Sequence, residues 1–249
     1  MINKVKDFYF KYAPTFTERY KKDEVLFLFS KYVDDVYSNI AIVNSDSNLD
    51  MINKEFSKRH INSLYYSFVK PNGCFEISYV DDYLIFQNID KLFAKYSKLK
   101  SKDIELVEVN NETLRKEYMI INDCCYKAES YDNPYSNLDN LGYCKSVLDF
   151  QSNETETKTL LYIIKYKSQN VGCINLTIKD DLAYISGLAI LEQFRKTKIF
   201  LAMIDVLHIL KSNNVKDIFC VTELNEYPDK LYKKLGFKSI AIAYAYKNK

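Results

Sequence analysis

Hydrophobic and polar positions change period repeatedly along the chain, and the clearest change lies between Ala183 and Asn214. Ala183-Tyr184-Ile185-Ser186-Gly187-Leu188-Ala189-Ile190 has the β-branched and aromatic content of a buried strand. Gln193 to Lys198 is polar, with positive charges on Arg195, Lys196 and Lys198. From Ile199 to Leu210 the apolar residues Ile199, Met203, Ile204, Val206, Leu207 and Leu210 recur at the spacing of a helix. A strand feeding a basic loop that opens a helix can hold phosphate, because the first helical turn offers free N–H groups and the positive end of the dipole.

The remaining pattern divides on either side of that stretch. Lys4 to Phe29 reads as helical with a break at Pro14, and Phe8, Tyr9, Tyr12, Phe16 and Tyr20 form an aromatic stripe suited to core packing. Ile40 to Val43 predicts a short strand, Leu49 to His60 a helix, and Ser63 to Val69 and Cys74 to Val80 two strands around the turn Pro71-Asn72-Gly73. Asp81-Asp82 reads as a turn into a further strand, Tyr83 to Phe86. Asn88 to Lys102 is amphipathic and lysine-rich, a helix or linker.

Ile104 to Val109 predicts a half-exposed strand, Glu112 to Tyr126 a helix, and Ser130 to Gly142 an irregular, turn-rich stretch. Leu160 to Tyr166 and Asn170 to Lys179 predict two strands joined at Lys167-Ser168-Gln169. Ile218 to Thr222 predicts a strand, Pro228 to Leu235 a helix with Gly236 at its left-handed cap, and Phe237 to Tyr246 a terminal strand.

Composition narrows the classes of function. With 249 residues, 47% hydrophobic, the chain can bury a substantial core. Its net charge of +2 does not supply the concentrated basic face that non-specific nucleic-acid binding needs. Six cysteines without a CxxC pair, beside only His60 and His208, give no zinc pattern, so no metal is expected. No apolar run reaches membrane-spanning length and Met1 to Phe10 lacks a signal-peptide core, so a reduced cytoplasmic protein without a membrane partner is expected.

Asn225-Glu226-Tyr227-Pro228-Asp229-Lys230-Leu231-Tyr232-Lys233-Lys234-Leu235-Gly236-Phe237 resembles a motif of the GNAT family, the acetyl-CoA-dependent N-acetyltransferases: an Asn, a helix with a Leu-Tyr pair, then Leu-Gly-Phe. The element order from Ile104 to Lys249 is similar to that family's as well. A second family motif, Val-x-Pro-x-x-Arg-x-x-Gly-x-Gly/Ala, aligns on Ile190 to Phe200 with Arg195 in the Arg place. Here the sequence departs from the pattern: Glu192 replaces the Pro, Lys198 stands at the first Gly and Phe200 at the second. Glycine in those places lets backbone N–H groups approach phosphate unobstructed, so phosphate holding would pass to the charges of Arg195, Lys196 and Lys198.

The resemblance implies a GNAT-like α/β fold, a mixed central sheet flanked by helices over residues 104–249, preceded by a smaller α/β domain over residues 1–95 that would be a degenerate half copy. It implies acetyl-CoA as acyl donor, held along Leu188, Ala189 and Ile190, by the loop residues Arg195, Lys196, Thr197, Lys198, Ile199 and Phe200, and by Asn225 and Tyr232. Tyr232 would protonate the departing thiolate. Glu223 is the candidate base by position, with Glu192 the other. The implied partner is a small-molecule or peptide amine, and a homodimer stays open. The rival reading is a catalytically silent binding or regulatory module that has lost coenzyme A.

Overall fold

The computed structural model describes residues 1–44, 46–96, 102–126, 140–195 and 201–249. They form two compact units, one made of Met1–Ile85 with Cys220–Lys249 and the other of Phe86–Phe219. The sequence division at 1–95 and 104–249 follows chain order, whereas the first unit is discontinuous and takes in the last thirty residues.

The discontinuous unit opens with helix α1 (Ile2–Tyr12). Ala13, ahead of Pro14, is extended, as a residue before proline prefers. The helix expected as far as Phe29 is instead an antiparallel hairpin, β1 (Glu18–Lys22) and β2 (Val25–Phe29), with Lys22 opposite Val25. Its two turn residues, Asp23 and Glu24, both have positive φ, 46° and 65°. That is the twist a two-residue hairpin needs, supplied here without the usual Gly or Asn.

β3 (Ile40–Ile42), α2 (Leu49–Ser57) and β4 (Tyr65–Ser67) make a parallel crossover, with α2 capped by the Asn48 side chain accepting from the Met51 N–H. β5 then runs without interruption from Phe75 to Gln87. The turn expected at Asp81-Asp82 is therefore absent: both residues lie inside the strand and are buried.

The continuous unit holds α3 (Ile89–Tyr96), β6 (Ile104–Glu108), α4 (Glu112–Tyr126), α5 (Asn140–Asn153), β7 (Lys158–Tyr166), β8 (Gln169–Lys179), β9 (Leu182–Ile190), α6 (Ala202–Ser212) and the start of β10 (Asp217–Glu223). Asn140 to Gly142, expected to be irregular, already belongs to α5, while residues 127–139 lie outside the described residues. β6, β7, β8 and β9 pair antiparallel in that order, and β10 joins β9 in parallel. α4 and α5 cover one sheet face over Tyr118, Ile121, Val147, Leu161, Ile163 and Cys173. Ala202 of α6 packs on the other face with Ile104, Ile164 and Val171.

The chain then returns to the first unit with α7 (Tyr227–Leu235) and β11 (Lys238–Asn248). β11 lies between β4 and β5, antiparallel to both. α7 has Pro228 in its first turn and ends at Gly236, whose φ of 104° is open to glycine at low cost. No helix among the described residues is long and apolar enough to cross a membrane.

Candidate functional site

In the continuous unit the site residues expected on the strand sit at the end of β9. The β8–β9 register shifts between Cys173↔Ala189 and Asn175↔Ser186, so Gly187 and Leu188 together oppose Ile174. This is a β-bulge, and its first residue, Gly187, has φ of +64°. Bulge and close approach coincide there: a Cβ on Gly187 would lie 2.7 Å from Asn175 Nδ2 and 3.0 Å from Tyr143 Oη. Asn175 is buried and holds the bulge, accepting from the Tyr118 hydroxyl and donating to Tyr143 Oη at 3.2 Å.

Leu188 and Ile190 turn their side chains toward the cluster containing Ile164 and Val171, and Ala189 turns toward that of Leu161 and Cys173. The parallel ladder with β10 covers only Leu182–Tyr184 against Asp217–Phe219. Within this unit, and among its described residues, the main chain of Ser186–Ile190 therefore has a strand partner on the β8 side alone.

Arg195 follows a single 3-10 turn, Glu192–Phe194. Its Nε donates to the Ile190 carbonyl at 3.0 Å and its Nη2 to the Cys125 carbonyl at 2.8 Å. A cation beside the last described turn of α4 meets the negative end of the helix dipole. The guanidinium thus ties the end of α4 to the end of β9. Glu192 is exposed. Lys196, Thr197, Lys198, Ile199 and Phe200 lie outside the described residues. His208 stacks edge-on against Phe93 at 4.7 Å, a packing position.

The other expected residues are in the discontinuous unit. Asn225 is exposed and adopts a left-handed conformation (φ 68°), with its N–H donated to Asp229 Oδ2 at 2.9 Å. Asp229 is buried, and Lys233 Nζ bridges it at 2.9 Å to Asp82, itself fully buried, at 2.8 Å. Ser239 donates to the second Asp82 oxygen. These contacts pin α7 to β5 and fix the helix that carries Tyr232. The Tyr232 ring is 5% exposed and packs edge-on against Phe237 at 5.1 Å. Burial raises its pKa well above the ordinary phenol value, with the Cys220 thiol adding to the effect, so the proton stays on oxygen at neutral pH.

Glu223, at the end of β10, accepts from the Tyr37 hydroxyl at 3.4 Å. The next residue, Leu224, donates its N–H to the Val80 carbonyl at 2.7 Å, which seats Glu223 beside Asp81. Asp81 is 9% exposed and accepts from the Tyr66 hydroxyl at 2.7 Å. Burial pushes its carboxyl up to about 7, the Tyr66 bond opposes that rise, and the negative charges of Glu223 and Asp82 add to it. Sequence reasoning missed Asp81 because two adjacent aspartates read as a turn. The signal that could have found it is the apolar and aromatic run on both sides, Tyr79-Val80 and Tyr83 to Phe86, which continues as one strand.

The profile of the acetyltransferase (GNAT) family matches residues 117–237. The chain carries a domain of the GNAT family. No curated protein sequence matches the chain. Among solved structures, a conserved protein of unknown function from Staphylococcus epidermidis superposes with a TM-score of 0.69 at 14% identity, covering 98% of both chains. A GCN5-related N-acetyltransferase from Kribbella flavida gives 0.63 at 12% identity, covering 98% of this chain and 95% of that one. A tandem GNAT protein from the clavulanic acid biosynthesis pathway gives 0.55 at 10% identity, covering 83% and 74%. At such identities the likeness is one of fold, and the GNAT fold extends over nearly the whole chain. Within the GNAT domain fall β7 to β10, α7 and every residue expected to hold cofactor.

Proposed function

We propose that this GNAT-family chain is an acetyltransferase that moves an acetyl group from acetyl-CoA to an amine by direct attack. The observation that carries the reading is the β9 bulge. Beside it, within this unit and among its described residues, the main chain of Ser186–Ile190 is paired on the β8 side alone, as a pantetheine arm that adds to a sheet edge requires. Acetyl-CoA supplies an activated thioester. On the protein's side, the main-chain N–H groups beyond the bulge would polarise the thioester carbonyl and stabilise the oxyanion. Asn225, exposed at the start of α7, would orient the arm, and the loop Lys196–Phe200 would meet the phosphates. Tyr232, whose phenol keeps its proton, would donate it to the departing sulfur, and Glu223 would accept a proton from the incoming amine. The N-terminal residues fit a degenerate half copy, a reading supported by the tandem GNAT protein among the structural relatives.

One observation favours a second reading, a silent binding module. Two donors of Arg195 are already committed to main-chain carbonyls, so the arginine of the phosphate motif serves the fold. Calorimetric titration with acetyl-CoA, beside dephospho-CoA as control, separates the two. Saturable binding with release of free thiol in the presence of amines supports the transferase, and no binding up to millimolar ligand leaves the silent module.

A further inference from the structure

The continuous unit places a buried amide where its core is otherwise mostly apolar. Tyr118 of α4 belongs to the layer formed with Val147, Leu161, Ile163 and Cys173, and Tyr143 of α5 packs against that layer. The two phenols meet on one side chain, Asn175 of β8, which is fully buried. Its Oδ1 accepts from the Tyr118 hydroxyl, and its Nδ2 donates to Tyr143 Oη at 3.2 Å. Each end of the amide is thus held by a different helix, and α4 and α5 are both tied to the middle of β8.

The same amide faces the bulge. A Cβ on Gly187 would come within 2.7 Å of Asn175 Nδ2 and 3.0 Å of Tyr143 Oη, so amide and phenol both lie close against the glycine backbone. Regular pairing continued from Cys173↔Ala189 would set Asn175 opposite Gly187, and the bulge sets it opposite Ser186 instead. The bulge as such does not need an amide. A glycine takes the left-handed conformation unaided, and an apolar side chain on β8 would join the layer without a polar group to satisfy. What the amide adds is direction: hydrogen bonds fix an angle, whereas apolar contact does not. The main chain of β9 is thereby held against α4 and α5 at the residue where it turns toward Leu188–Ile190.

We propose that Asn175 is a positioning residue of acetyl transfer: clamped between Tyr118 and Tyr143, its amide sets the angle at which the main-chain N–H groups beyond Gly187 meet the thioester carbonyl. The inference rests on the acetyltransferase reading and deepens it. No bond to Asn175 forms or breaks. In the step, the amine lone pair forms the N–C bond and the carbonyl π pair moves onto oxygen. That pair returns as the C–S bond breaks with its electrons going to sulfur, and the proton transfers stay with Glu223 and Tyr232. The N–H groups carry the charge on oxygen between those events. A hydrogen bond to a developing oxyanion depends on alignment more than one to a neutral carbonyl, so loosening the strand acts on turnover and leaves binding of the arm intact.

The test is carbon NMR of acetyl-CoA labelled at the thioester carbonyl, bound to wild type, Asn175→Leu, Tyr118→Phe and Tyr143→Phe, beside the kinetics of transfer to butylamine. Leucine keeps the shape of the asparagine without its amide, and each phenylalanine removes one of the two bonds. Bound to wild type, the labelled carbon should move downfield of free acetyl-CoA, the signature of a polarised carbonyl. In each variant it should move back toward the free position. Asn175→Leu should lose about tenfold to a hundredfold in kcat, with the acetyl-CoA Kd within about twofold of wild type. Should Asn175→Leu fail to fold, the two phenylalanine variants decide. A wild-type carbon at the free position overturns the proposal, as do variants that keep the wild-type carbon position and kcat, whatever their stability. A Kd that rises in step with the loss of kcat overturns it too, since that is the mark of a merely structural role. A wild type that binds no acetyl-CoA removes the acetyltransferase reading and this role with it, whereas binding with an unmoved carbon in the variants removes the role of Asn175 alone.

Discussion

Asp81→Asn should make the protein more stable at alkaline pH, by an amount that the burial of the carboxyl sets. The native carboxyl titrates at about 7 against an ordinary value of 3.8. Between those values the folded protein keeps a proton that the unfolded chain has released, so stability falls as pH rises through the window and levels off above it. Three powers of ten in proton affinity, at about 1.4 kcal/mol each, amount to about 4 kcal/mol. Asparagine keeps the shape and can still accept from Tyr66, but it has no proton to lose. Urea unfolding of both proteins at pH 4, 5.5, 7 and 8.5 should therefore show near-equal stability at pH 4. The variant's advantage should grow to about 3–4 kcal/mol by pH 8.5, at unchanged denaturant slope. Glu55, held down to about 2 by Lys22 and Lys58, titrates below this window in both proteins and cancels in the difference. A stability difference that does not change with pH would refute the reasoning, and a variant destabilised equally at every pH would assign Asp81 a purely structural bond.

Three further outcomes follow from the geometry. Gly187→Ala should cost about 2–3 kcal/mol in urea unfolding, from the left-handed backbone and from displacement of the Asn175 amide, and should weaken acetyl-CoA binding more than a surface Ala change of equal cost. Lys233→Met leaves Asp82 and Asp229 buried without their cation. A loss of about 2–4 kcal/mol at pH 7 is expected, below that of a fully buried pair because the lysine is 38% exposed, and an unchanged melting curve would remove the network's role in pinning α7. Tyr232→Phe should lower kcat with little change in acetyl-CoA affinity, and an undiminished kcat would remove the phenol as the acid.

The C-terminal part of the fold was legible because its elements announce themselves locally. β7, β8, β9, β10 and α7 have unbroken apolar patterns bounded by polar turns, and Gly236 marks its cap. Gly187, a glycine inside an apolar strand pattern, sits at both a bulge and a close approach. The N-terminal hairpin was not legible, since its left-handed turn residues are Asp23 and Glu24, without the Gly that usually marks such a turn, and its aromatic content suits a helix as well. Asp81 escaped for a different reason. A buried carboxylate is recognisable only from what surrounds it, and its neighbours Tyr37, Tyr66 and Glu223 are far from it in sequence. Arg195 shows the limit of a motif: the residue stands in the phosphate-binding place, while its hydrogen bonds go to the carbonyls of Ile190 and Cys125.

The position of β11 between β4 and β5 has a consequence for how the chain is made. As synthesis proceeds, β4 and β5 emerge early and wait for their shared neighbour until all of Phe86–Phe219 has left the ribosome. The continuous unit can fold as it appears, but the sheet of the discontinuous one stays open in its middle, with two unpaired edges. Loss of the final strand would leave those edges as templates for other chains. Truncation before Lys238 is thus a route to aggregation, and the interval before β11 arrives is when a nascent chain most needs a chaperone.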